Sequence, residues 1–134
     1  MKSLEEAKKA RLKAYVPYSK FKVGAAVLLK DGTYVHGANV ENSSYGLSNC
    51  AERSALFSLV SQGYDPKDIV SITVVANDTR PVSPCGACRQ VMHELLPKDA
   101  SIILANTKGE TIEMTKDALL PYAFVMDDVK DDER

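Results

Sequence analysis

The chain has 134 residues, 45% hydrophobic and 26% charged, with a net charge of −1; this fits one domain over residues 1–134 with its own core, and it excludes a broad basic field for nucleic acid. No apolar run is long enough to cross a membrane, Met1 to Glu6 is polar and acidic unlike a signal peptide, and three cysteines do not make a secreted disulfide framework. The expectation is a cytoplasmic protein with reduced thiols and neither a nucleic-acid polymer nor a membrane as partner.

Ser3-Leu4-Glu5-Glu6 fits a capping box and predicts a helix start, with Leu4, Ala7, Ala10 and Ala14 as its apolar stripe and Pro17 as a stop. Lys22 to Leu29 reads as a buried strand. Asp31-Gly32 is a hairpin turn, and Thr33 to Asn39 is the returning strand. A second helix is predicted from near Cys50 to about Gln62, capped by Ser48 or Asn49, with Leu56, Leu59 and Val60 on its core side. Ile69 to Ala76 is apolar and β-branched, a third strand. Ser83 is the expected cap and Pro84 the expected first residue of a third helix, which carries Ala87, Val91, Met92 and Leu95 on one side. Ser101 to Ala105 and Glu110 to Met114 read as an antiparallel pair, followed by a short helix capped by Thr115 and ending at Pro121. The charged tail from about residue 127 reads as peripheral. The strand-helix-strand unit implies parallel strands, so the expected fold class is α/β, a three-layer α/β/α arrangement around a five-stranded mixed sheet.

All three cysteines lie in two short segments, Asn49-Cys50-Ala51-Glu52-Arg53 and Ser83-Pro84-Cys85-Gly86-Ala87-Cys88-Arg89-Gln90. Cys85 and Cys88, three apart at a helix start, are neighbours on one face. Three thiolates can hold a zinc ion with its fourth position open, as hydrolytic catalysis requires, and Glu52 is then the candidate to move protons. The competing readings are a redox dithiol, a structural zinc knuckle and packing cysteines. A redox pair leaves Cys50 and Glu52 without a role. A structural zinc needs a fourth ligand: His93 points roughly 140° away from Cys88 on an ideal helix, and His36 sits mid-strand as a packed or surface residue.

Three thiolates around one zinc ion leave a net negative charge. Both helix starts offer partial positive charge, and Arg53, one turn from Cys50, can hydrogen-bond the sulfurs. Glu52 is harder to aim. Two residues on an ideal helix turn by roughly 200°, so it reaches the metal only if the ion lies over the helix end.

Cys50-Ala51-Glu52 with Pro84-Cys85-Gly86-Ala87-Cys88 resembles the all-cysteine form of the zinc deaminase signature. Further stretches extend the likeness: Ala14-Tyr15-Val16-Pro17-Tyr18-Ser19-Lys20-Phe21, Val23-Gly24-Ala25-Ala26, Asn39-Val40-Glu41-Asn42, Cys88-Arg89-Gln90 and Leu119-Leu120-Pro121-Tyr122-Ala123-Phe124. Over nearly its whole length the chain is similar to the small homotetrameric cytidine deaminases. Tyr122 departs from the pattern, which has a small residue there.

The resemblance implies one Zn2+ per subunit on Cys50, Cys85 and Cys88, Glu52 as proton shuttle, and Arg53 tuning the charge of the sulfurs. It implies that Asn39 and Glu41 bind the ribose hydroxyls, which suits two polar residues on one face of a strand. Phe21 would pack on the base, Phe124 would stack on it from a neighbouring subunit, and backbone groups near Ser83 would read the leaving amine. The implied reaction is hydrolysis of cytidine and 2′-deoxycytidine to the uridine nucleosides, in pyrimidine salvage, by a homotetramer with shared active sites. The alternatives are a deaminase of another aminopyrimidine nucleoside, such as blasticidin S, and a structural-zinc binding module without catalysis.

Overall fold

Alternation along three neighbouring strands lays down two separate cores. In the computed structural model, which describes residues 1–126, β1 (Val23–Leu29) pairs antiparallel with both β2 (Tyr34–Ala38) and β3 (Ile69–Ala76). β4 (Ser101–Asn106) runs parallel to β3, and β5 (Thr111–Met114) closes the far edge antiparallel to β4. The sheet order is β2-β1-β3-β4-β5. Successive side chains on a strand point to opposite faces. Ala25, Val27, Ile72, Val74, Ile102 and Leu104 therefore enter the larger core, while Ala26, Val75 and Ala105 enter a smaller one on the other face.

One helix covers the smaller face and three elements serve the larger. α1 (Lys2–Arg11) lays Leu4 and Ala7 on the small-residue side. α2 (Ala51–Ser61) and α3 (Gly86–Leu95) contribute Ala51, Ala55, Leu56, Leu59, Cys88 and Met92 to the other, with Leu119 of α4 (Lys116–Leu119) at its edge. The three-layer mixed sheet expected from the element order is the observed one. α2 reaches β2 because Gly37 has no side chain: a Cβ there would collide with the backbone of Ala51 and Ala55. The hairpin turn needs Gly32 at φ +91°, and Asp31 accepts the Thr33 amide beside it.

The strands match their expected spans to within one or two residues, and β3 matches residue for residue. α2 starts near Cys50 and Thr115 caps α4 as expected, but the caps of the first three helices differ. Ser3 does not cap α1: Met1 stands at the cap, and the buried Ser3 hydroxyl bonds Tyr34 Oη at 2.9 Å instead. α1 ends at Arg11, well before Pro17, since the chain must leave to pair Tyr15 with Val40. α2 is capped by Cys50 rather than Ser48 or Asn49, and α3 by Cys85, which leaves Ser83 and Pro84 outside the helix. Val60 and Ala87 are exposed, because the inward faces run through Ala51, Ala55 and Leu59 on α2 and through Cys88 and Met92 on α3. The tail from Asp127 lies outside the described residues.

Candidate active site

The two cysteine segments meet where β1 begins and β2 and β3 end, since Val23 pairs with Ala76 and Gly24 with Ala38. Cys50 and Cys85 occupy the same position in two different helices. Each is the N-cap, with extended backbone (φ −78°, ψ 159° and φ −69°, ψ 166°), and neither makes a side-chain capping bond. Cys88, one turn into α3, is fully buried. The three sulfurs lie within 4.8 Å of one another, and Cys50 Sγ is 3.8 Å from Cys85 Sγ. A tetrahedral ion with metal–sulfur bonds of about 2.3 Å holds its sulfurs about 3.8 Å apart, so the set is of the right size and softness for zinc.

The cap position resolves the difficulty with Glu52. Cys50 is not helical, so the ideal-helix turn does not separate the two residues, and the three sulfurs gather at the starts of α2 and α3. Glu52 is 4% exposed, yet it walls a hollow of about 240 Å³ together with Phe21, Asn39, Cys50, Ser83 and Cys85. Burial, then repulsion from the Cys50 sulfur, raises its pKa above the ordinary carboxylate range.

Charge in the site is divided unevenly. The neighbouring Cys88 side chain, with help from Arg53 and Cys85, brings Cys50 down to about 5, while the Cys50 sulfur and burial push the Cys88 thiol up. Arg53 NH2 donates to Cys50 Sγ at 3.3 Å, and the sulfurs of Cys50 and Cys88 hold the guanidinium charged. Its buried Nε has no partner among the described residues. The histidines are elsewhere: His36 bonds Glu6 and His93 bonds Asp117, each at 3.0 Å.

The other expected contacts are divided. Phe21 and Asn39 share the hollow with the cysteines. Asn39 is largely engaged already: Oδ1 accepts the Val23 amide at 2.9 Å and Nδ2 donates to Phe21 O at 2.8 Å. One N–H and one lone pair remain for a ligand. Glu41 lines a second hollow of about 360 Å³ with Tyr18, Ser19, Tyr45 and Ser48. Phe124 reaches neither; it is 70% exposed, and its carbonyl accepts from Gln90 Nε2 on α3 at 2.9 Å. Tyr122, also exposed, takes a left-handed φ of +51° two residues earlier.

Residues 1–104 match the sequence profile of the cytidine and deoxycytidylate deaminase zinc-binding region. The chain belongs to that deaminase family. It is 56% identical to a cytidine deaminase of Halalkalibacterium halodurans over 96% of either chain. It is 52% identical to one of Sporosarcina psychrophila, over 96% of this chain and 93% of that protein. The crystal structure of cytidine deaminase from Burkholderia pseudomallei superposes with a TM-score of 0.89 at 52% identity, covering 92% of this chain and 97% of that one. Zinc is the metal of this deaminase family's binding region, and the Cys50, Cys85 and Cys88 cluster is the donor set that suits it.

Arg89 has a structural part that its sequence neighbours do not reveal. Arg89 donates to Pro84 O at 2.8 Å, to Leu119 O at 2.9 Å and to Ser83 Oγ at 2.8 Å. It straps the loop before Cys85 to the end of α4. The three bonds use each nitrogen of the forked guanidinium once, but nothing local in Cys88-Arg89-Gln90 announces their partners.

Proposed function

We propose that this chain hydrolyses the exocyclic amine of cytidine and 2′-deoxycytidine, releasing ammonia and the uridine nucleoside. The observation that carries the reading is Glu52, a buried carboxyl in the wall of the same hollow as the Cys50 and Cys85 sulfurs. Cys50, Cys85 and Cys88 would hold zinc. When bound, zinc supplies Lewis acidity that makes a water molecule an effective nucleophile near neutral pH.

The chain's own residues do the rest. Glu52 takes a proton from the attacking water, delivers one to N3 of the base, and passes one to the departing amine. A carboxyl raised by burial above the ordinary carboxylate range holds protons more readily, which suits a group that must accept and give them in turn. Arg53 and the two helix starts offset the charge of three sulfurs. Phe21 packs the base, the remaining capacity of Asn39 and Glu41 meets sugar hydroxyls, and Ser83 and its neighbours face the leaving amine.

Phe124 is exposed at the end of the described chain, and Phe57, Val91 and Leu95 line a surface hollow of about 330 Å³. Both features support a homotetramer in which Phe124 closes a neighbour's site. A single catalytic domain, a reducing cytoplasm for three metal-binding thiols, and a place in pyrimidine salvage complete the proposal.

The test is the fall in ultraviolet absorbance on adding zinc-loaded protein to cytidine, 2′-deoxycytidine, adenosine and blasticidin S in parallel. Loss of the two cytidine signals is expected. Turnover of blasticidin S alone would move the substrate, and a flat trace with all four would leave a structural-zinc module.

A further inference from the structure

Glu41 is held from one side by a single turn of chain. Its Oε1 accepts the amides of Tyr18 and Ser19, both at 3.1 Å, and its Oε2 accepts the Ser19 hydroxyl. The direction of that last bond is fixed. An ionised carboxylate only accepts, so the Ser19 hydroxyl gives Glu41 its one proton, while Ser19 Oγ accepts the Phe21 amide at 3.0 Å. With both lone pairs of Oε1 and one of Oε2 engaged, the carboxylate keeps one acceptor direction, on Oε2. The Ser19 hydroxyl, followed by its amide and that of Tyr18, also holds the carboxyl below the ordinary range, so it is ionised at neutral pH.

Ser19 is thus the link between two side chains that line different hollows. Phe21 walls the cysteine hollow and Glu41 walls the neighbouring one. The turn that carries Ser19 is itself anchored. Tyr15 pairs with the stretch around Val40, with Tyr15 N to Asn39 O at 2.9 Å and Glu41 N to Tyr15 O at 2.8 Å, and Lys20 takes φ +62° to close it. Without the hydroxyl, Glu41 keeps its two amide donors but loses the one contact on Oε2, and the carboxylate can swing about Oε1.

Taking Glu41 as a sugar contact, as proposed above, we infer that Ser19 is a positioning residue that aims the open lone pair of Glu41 at a sugar hydroxyl and so sets the preference for hydroxylated nucleosides. It touches neither the base nor the reacting atoms. Its effect should follow the sugar and leave the chemical step alone.

The experiment uses full-length, zinc-loaded Ser19→Ala with cytidine and 2′,3′-dideoxycytidine. KM for cytidine should rise about tenfold with kcat changed by less than about twofold, the size expected for one lost charge-assisted hydrogen bond in ground-state binding. KM for the dideoxynucleoside should stay where it is, so the preference between the two collapses. Ser19→Thr, which keeps the hydroxyl, should restore it. An equal rise for both substrates, or none for cytidine, overturns the inference. Glu41→Gln separates the two layers. If that variant keeps the preference, the sugar reading of Glu41 falls and Ser19 with it; if it loses the preference while Ser19→Ala keeps it, only the Ser19 inference fails. Should Ser19→Ala melt below the assay temperature, the same pair of substrates is compared on Ser19→Cys, whose thiol is a weaker donor.

Discussion

The metal end of the site and its nucleoside rim are built to different standards. At the metal end every group is fixed by the chain itself: two cysteines at helix caps, a third fully buried, Glu52 almost so, and Arg53 bonded to sulfur. At the rim the aromatic side chains are open, Phe21 beside the cysteine hollow at 40% and Tyr45 beside the second hollow at 79% exposure. Exposed apolar side chains that cluster beside a cavity mark surface awaiting a cover. The groups proposed for the chemistry all lie within one chain, whereas the rim proposed to select the substrate stays open among the described residues.

The largest expected effect is at the finished end. Glu52→Gln should keep zinc and fold while turnover falls by about 10²–10⁴-fold or more, because an amide cannot relay protons. Zinc analysis alongside initial rates checks this, and near-normal activity of the metal-loaded variant would remove Glu52 from the reaction. Arg53→Gln should still bind zinc but run about 10–100-fold slower, with its activity profile displaced to higher pH, since the sulfurs then carry uncompensated charge. A pH–rate profile that superposes on the parent would make Arg53 a packing residue.

At the rim the effects should be smaller and should cross between chains. Phe124→Ala should raise KM for cytidine about tenfold, within the range of one lost base-stacking contact. Mixing Glu52→Ala subunits with Phe124→Ala subunits then sharpens the contrast. Mixed oligomers should regain sites of near-parental affinity that pair an intact Glu52 with a neighbour's Phe124. If subunits exchange and no such sites form, the rim is completed within one chain.

The same contrast governs what the sequence made legible. β3 could be read residue for residue because a β-branched apolar run depends on local chemistry and burial alone. The cysteines and Glu52 were legible as types and spacings. The caps of α2 and α3 were misassigned because cap rules look for an oxygen that accepts an amide, and Ser48, Asn49 and Ser83 offered one. The real caps, Cys50 and Cys85, are fixed by the need to bring sulfur beside sulfur from distant parts of the chain. Ser3 illustrates the same failure on a smaller scale, since its hydroxyl answers to Tyr34 on another element. Asn39 was legible as a polar strand end, but not the two backbone bonds it makes to the Phe21–Val23 segment.

The separation of the cysteines has a consequence for the unfolded chain as well. Cys50 and Cys85 are 35 residues apart, so an ion held by both closes a long loop. By polymer statistics, a cross-link around a loop of that size removes about 3–4 kcal/mol of chain entropy from the unfolded state. Zinc would then fasten α2 to α3 besides serving the reaction, and a chelator strong enough to strip it should lower the melting temperature by several degrees at least. Deaminase carrying Glu52→Gln, which keeps all three sulfurs, should lose the same increment on stripping, so the clasp and the catalyst are separable properties of one ion.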